Sequence, residues 1–145
     1  MRADRRALLQ VLLNLLNNAV KFTEPGGTVT LSASVMPGKE FAIAVVDTGI
    51  GIDARRLPHV FEPFQRIDPY CSRRHGGSGL GLSISKMIVE RHGGRLSIES
   101  RLGVGTTVTI HVPPERQLLL AEGKPTKDAR TARPTRIRAP AYPGE

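Results

Sequence analysis

Residues Val11 to Thr23 read VLLNLLNNAVKFT, and this run restricts the chain's choices more than any other. Its apolar residues recur at helical spacing and demand a second layer to bury them. Yet Asn14, Asn17, Asn18 and Lys21 interrupt it. An amide or ammonium buried without a partner costs a few kcal/mol. Gln10, Asn14, Asn18 and Lys21 follow one another at spacings of 4, 4 and 3, so they share one side of the helix. The polarity is a stripe. It is either the solvated flank of an amphipathic helix or the wall of a polar cavity. Asn offers a neutral oxygen for a hard cation such as Mg²⁺, and Lys21 offers a point charge for a phosphate. Asn17 lies about 100° from Asn18 around the helix and is assigned no role.

The helix is predicted from an Asp4 cap to about Phe22, ended by Pro25-Gly26-Gly27. TVTLSASV (28–35) alternates strictly and reads as a half-buried strand. MPGKE makes a hairpin-type connection to FAIAVVD (41–47), which is apolar on both faces and so is placed centrally. From Thr48 to Gly79 periodicity fails, apart from a short helical piece near Asp53 to Phe61. Irregular segments longer than about 12–15 residues are usually functional or disordered. Gly79 to His92 reads as a second helix, and RLSIES and TTVTIHV as a strand pair around RLGVG. Two helices then cover one face of a mixed, mainly antiparallel sheet, a two-layer α+β sandwich over residues 1–113. Residues 114–145 are rich in Pro, Arg, Ala and Thr without periodicity and read as a basic disordered tail.

VVDTGIGID sets Asp47 at a strand end, followed by Gly49 and Gly51. A carboxylate there can accept from an exocyclic amino group, and the glycines let backbone approach a flat ring. Taken alone, an ordinary turn is as good a reading. GGSGLGLSISKMIVERHGG carries Gly76, Gly77, Gly79 and Gly81 into a helix start, where free N–H groups and the helix dipole favour phosphate. No strand precedes it, so the dinucleotide-fold reading fails its context test. No Lys-Ser/Thr follows the glycines, so it is not a Walker A loop. Between the clusters, Arg66, Arg73, Arg74 and His75 read as a solvated loop or as a mobile lid carrying cations to phosphates. Cys71 in that segment is expected to be an exposed thiol.

The net charge of +8 suits an anionic ligand, but aromatics are only 4% with no Trp, so base-stacking platforms are scarce and nucleic-acid binding is not expected. The single cysteine forbids an intrachain disulfide and points to a reducing compartment. No apolar run approaches the roughly 20 residues that span a bilayer, and a soluble cytoplasmic chain without membrane contact is the plain expectation.

Together these motifs resemble the ATP-binding catalytic domain of bacterial two-component histidine kinases, in the GHKL superfamily with its Bergerat ATP-binding fold. NLLNNAVKFT is similar to the N box, DTGIGI to the first glycine box, FEPFQRID to the F box, GGSGLGLSISKMIVERHGG to the second glycine box and GVGTTVTIHVP to the closing strand pair. The resemblance implies ATP and Mg²⁺ as cofactors. It implies that Asn18 ligates Mg²⁺, with Asn14 supporting the metal–phosphate region and Lys21 contacting phosphate. Phe22 would lie against the nucleotide pocket. Asp47 would accept from the adenine amino group, with Gly51 beside the ring and Thr106 nearby; Gly49 and Ile52 come with the same box. Gly77, Ser78, Gly79, Leu80, Gly81 and Leu82 would form the phosphate-facing loop and helix start. Phe61 and Phe64 would anchor the lid, and Arg66 would lie in it. Asn14 stands where the ATPase branches carry a Glu that activates water, and an amide is no general base at neutral pH. Phosphotransfer to a protein side chain is therefore expected over hydrolysis.

The family's phosphoacceptor histidine sits on a dimeric helical hairpin ahead of this domain. None of His59, His75, His92 and His111 has that context, and each is read as incidental. The implied partners are such a hairpin, in a parent chain or in trans, and indirectly a response regulator receiver domain. The family also begins with a strand before the N box, and only three residues precede Asp4. The domain is thus expected to be N-terminally truncated, with an open edge on its sheet. A non-catalytic ATP-binding partner or decoy module is the alternative. So is a stand-alone serine kinase of the anti-sigma-factor type, although Asn14 replaces the acidic residue of that group.

Overall fold

The apolar period of the first helix is realised as α1, Arg5–Phe22, in a computed structural model that describes residues 5–65, 78–114 and 134–139. Val11, Leu15 and Ala19, four residues apart, are each at most 4% exposed and face the sheet. Burying such side chains stabilises by about 2 kcal/mol for each of the two larger ones. The Thr23 hydroxyl donates to the Ala19 carbonyl at 2.6 Å and satisfies one of the acceptors left over at the helix end. The expected Asp4 cap lies outside the described residues.

β1 (Thr28–Val35) and β2 (Phe41–Asp47) pair antiparallel around a 3₁₀ turn at Pro37–Lys39. The Asp53–Phe61 stretch contributes only a 3₁₀ turn, Leu57–His59. α2 (Gly81–Arg91) leads into β3 (Arg95–Arg101) and β4 (Gly105–Val112). β4 pairs with both β3 and β2, and β2 is central as its doubly apolar sequence requires. Val29, Val45, Val108, Ile110 and Leu96 form the core with the inner faces of the two helices. The result is the expected two-layer α+β sandwich, its sheet antiparallel throughout the described residues. Among those residues no helix is long and apolar enough to cross a membrane.

The edge beside β1 is partly covered. The sheet has five strands in the order β3-β4-β2-β1-β5, and β5 is Thr135–Arg138. It comes from the segment expected to be structureless; the remainder of that segment, apart from Pro114, Pro134 and Ala139, lies outside the described residues. β5 pairs antiparallel with Thr28–Leu31 and leaves Ser32–Val35 uncovered. Ala139 N–H donates to the Gly27 carbonyl at 3.0 Å. Alternation along the ladder makes Ile137 and Val29 the next hydrogen-bonded pair. All four β5 residues are exposed, so its backbone pairing and not its side chains holds it. Ile137→Pro removes a ladder donor. Amide hydrogen exchange at Val29 and Leu31 should then accelerate toward that of Ala33, while core amides stay protected. Unchanged exchange at Val29 would show that β5 does not cover this edge.

Candidate functional site

β2 ends in Asp47, and the next residues fold back against α1, where Ile50 N–H donates to the Phe22 carbonyl at 3.1 Å. This leaves a cavity of about 550 Å³, its open mouth included, between α1, the inner face of the sheet and the start of α2. Leu15, Asn18, Ala19 and Phe22 line it from α1, and Val45 and Asp47 from β2. Ile98, Thr106 and Val108 come from β3 and β4, Ile50 to Ile52 from the loop and Leu82 from α2. An apolar slot with a few convergent polar groups is the usual form of a small-molecule site.

Asp47 is the buried polar group at its end, 9% exposed. Gly49 N–H donates to its Oδ1 at 2.8 Å and Thr106 N–H to the same oxygen at 3.2 Å. Among the described residues no fully buried side-chain oxygen lacks a partner, so Oδ2 opens onto the cavity. Burial pushes this carboxyl above its ordinary pKa, against the lowering pull of the two N–H donors. A buried acceptor at the end of an apolar slot suits the amino group of a planar heterocycle. Thr106, the register partner of Asp47, is held in turn by Ser100, whose Oγ lies 2.8 Å from Thr106 Oγ1. The Ser100 Oγ also accepts from Ile52 N–H at 2.8 Å, which ties the loop floor to β3.

Of the residues singled out in the sequence, Asn18, Phe22, Asp47, Gly51, Ile52, Leu82 and Thr106 line the cavity. Gly49 stands behind it as the donor to Asp47. Lys21 does not line it; its Nζ lies 5.2 Å from the centre of the Phe22 ring. Asn14 points at α2, where its Nδ2 donates to Ser85 Oγ at 2.8 Å. Ser78, Gly79, Leu80 and Gly81 lead into α2, and Phe64 N–H donates to the Gly79 carbonyl at 3.1 Å. Phe61 packs on the core with Lys86 Nζ 5.2 Å from its ring centre, whereas Phe64 is exposed. Arg66 and Gly77 lie outside the described residues, as do Cys71, Arg73, Arg74, His75 and Gly76. The apolar walls Val45 and Val108 are site residues that the sequence reading misses. The period-2 rule could have found them, two positions from Asp47 and Thr106 on the same face. Nothing in the local sequence marks Ser85 or Ser100.

Among the described residues no three His, Cys, Asp or Glu side chains converge. A cation at the cavity would meet the Asn18 amide and complete its shell with phosphate oxygens and water. That donor set fits Mg²⁺, which retains waters and binds beside phosphates. His111, read as incidental, joins a network outside the cavity. Its Nε2 is 2.9 Å from Ser97 Oγ, and its Nδ1 is 3.2 Å from Glu40 Oε2, which Arg95 also contacts at 3.2 Å. The Arg95 hydrogen bond, opposed by desolvation and aided by His111, holds the Glu40 carboxyl below its ordinary pKa. The network ties β3 and β4 to the residue preceding β2.

The family model described as "Histidine kinase-, DNA gyrase B-, and HSP90-like ATPase" matches residues 3–116. The chain is 45% identical over 127 residues to the circadian input-output histidine kinase CikA of Synechococcus elongatus, covering 88% of this chain and 17% of that protein. It is 46% identical over 111 residues to the histidine protein kinase DivJ of Caulobacter vibrioides, covering 77% and 18%. It thus spans less than a fifth of the length of either relative. Among solved structures it is similar to the mycobacterial sensor histidine kinase MprB, with TM-score 0.65 and 33% identity, covering 76% of this chain and 74% of that one. It is also similar to full-length ShkA in complex with AMPPNP, with TM-score 0.63 and 37% identity, covering 74% and 21%.

Proposed function

The chain belongs to the histidine kinase-, DNA gyrase B- and HSP90-like ATPase family, and on that premise we propose that it is the ATP-binding catalytic part of a two-component sensor histidine kinase. The reading rests above all on Asp47, whose Oδ1 is occupied by two backbone N–H groups and whose Oδ2 opens onto the apolar slot. In this reading Oδ2 accepts from the adenine amino group, while Gly51 and Ile52 lie against the ring. Asn18 would hold Mg²⁺ through its amide oxygen, and Lys21 would contact the phosphates. When bound, ATP would supply the γ-phosphoryl group and Mg²⁺ would offset its negative charge. Asn14 cannot take a proton from water, so the site holds that group without directing hydrolysis. The acceptor is a histidine on a helical hairpin of a parent chain or partner, and a response regulator receives the phosphoryl group from it. Catalysis comes from positioning and charge neutralisation.

Titration with ATP in the presence and absence of Mg²⁺ tests the assignment. Asn18→Ala should lose about tenfold or more of the Mg²⁺-dependent gain in affinity, the scale on which metal-site substitutions act. Metal-free ADP should still bind within about threefold of wild type, because the adenine contacts remain. An undiminished Mg²⁺ gain in the variant would remove Asn18 from the metal site.

A further inference from the structure

Asn14 and Ser85 are 71 residues apart in sequence, yet the Asn14 amide donates to the Ser85 hydroxyl at 2.8 Å. Ser85 is 2% exposed and lies on the face of α2 turned to α1. Gly81 lies four residues earlier on that face. A Cβ there would come within 2.7 Å of Asn14 Oδ1 and 3.0 Å of its Nδ2. The two small residues let α1 and α2 approach at Asn14, and only one of them offers a polar atom. Among the described residues Ser85 is the hydrogen-bond partner of Asn14. An amide with one end anchored keeps its plane and presents its other end in a defined direction. Here that end is Oδ1, beside Gly81 at the first residue of α2.

We infer that Ser85 is the positioning residue for Asn14. It holds the amide so that Oδ1 faces the helix start on which the phosphates are read to lie, and it couples the orientation of Asn14 to the seating of α2. The inference rests on the functional reading above and adds a residue to it. Ser85 itself touches neither metal nor nucleotide; it acts through Asn14. Asn14 supports the metal–phosphate region without ligating the metal, and loss of a residue so placed changes metal affinity about 10- to 100-fold; Ser85 stands one step further out, so its loss should cost no more than that of Asn14.

A double-mutant cycle on the full chain separates positioning from packing. Wild type, Ser85→Ala, Asn14→Ala and the double variant are titrated with ATP with and without Mg²⁺. The Asn14 side-chain amide is followed by ¹⁵N NMR without nucleotide. Ser85→Ala should lower the Mg²⁺-dependent gain by up to about tenfold and by no more than Asn14→Ala does, and the double variant should be no weaker than Asn14→Ala alone. Metal-free ADP affinity should stay within about twofold in Ser85→Ala, and the Asn14 amide protons should exchange faster in that variant. Additive losses, or a wild-type Mg²⁺ gain in Ser85→Ala beside a reduced one in Asn14→Ala, would overturn the inference. A wild-type chain with no Mg²⁺-dependent gain would instead overturn the functional reading and this inference with it. The NMR arm tells that case apart, because it reports the Ser85–Asn14 contact without nucleotide.

Discussion

Asp47→Asn is expected to reduce ATP affinity at least about 100-fold while leaving the fold as stable as before or more so. The two oxygens of this carboxyl are not equivalent. Gly49 and Thr106 both donate to Oδ1, so an Asn in this place must keep its oxygen there and turn Nδ2 to the cavity. The alternative flip sets an NH₂ group against two N–H donors. A donor then faces the adenine amino group, and both are left unpaired in an apolar slot. Inosine triphosphate presents an acceptor at that ring position, so its affinity relative to ATP should rise in the variant. ATP binding within about threefold of wild type would mean that adenine does not sit against Asp47.

The stability half of this expectation follows from the same burial. The folded-state pKa of Asp47 is raised above its ordinary value, so the folded chain holds the proton more tightly than the unfolded chain. Its contribution is therefore most favourable at low pH and is lost as pH rises from about 4 through the raised value. At neutral pH the carboxylate opposes folding, and an uncharged Asn removes that opposition. The difference in melting temperature between variant and wild type should shrink as pH is lowered through this window. A variant less stable than wild type at neutral pH would show that the carboxylate supports the fold.

Gly51→Ala should have the largest effect on folding, a loss of about 3 kcal/mol or more from a typical total of about 5–15. Gly51 has φ 68, and a Cβ there would run into the Arg101 carbonyl, with Leu102 Cα 2.9 Å away. Those atoms cannot retreat cheaply. Gly103 N–H donates to the Ile50 carbonyl at 2.8 Å and Ile52 N–H to Ser100 Oγ at 2.8 Å, so the β3–β4 turn is strapped to the same loop. Gly38 provides the control, since it has φ 84 and a Cβ added there would meet nothing within 4 Å. Gly38→Ala should cost only the left-handed backbone conformation, about 1 kcal/mol. Chemical denaturation of the two variants compares them directly. Equal losses would show that the contact with the β3–β4 turn carries no energy.

Much of the fold was legible because its signals are local. The helical period of Val11, Leu15 and Ala19 marks which side of α1 is buried, and the alternation of TVTLSASV marks the face of β1. The apolar run of β2 matches its place between β1 and β4. β5 was not legible. Four exposed residues, Thr-Arg-Ile-Arg, carry no burial pattern, and backbone hydrogen bonds leave no side-chain trace. Part of the lining of the candidate site was legible in the same way. Asp47 and Gly51 announce themselves by residue type at a strand end and a turn, whereas Thr106 entered only through the family resemblance. Val45 and Val108 look like ordinary core, because an apolar wall and an apolar core require the same side chains.

By itself the sequence determined the period of each element, the turn chemistry between them and the inventory of polar groups near α1. These depend on contacts within about four residues, where spacing alone decides which side chains share a face. Only the tertiary structure decided that Asp47 keeps one oxygen for the cavity, that Asn14 turns to Ser85 and that residues 135–138 cover β1. Each of these joins groups distant in sequence. Strand register and helix packing bring them together, and both are set by burying the whole core rather than by any one segment.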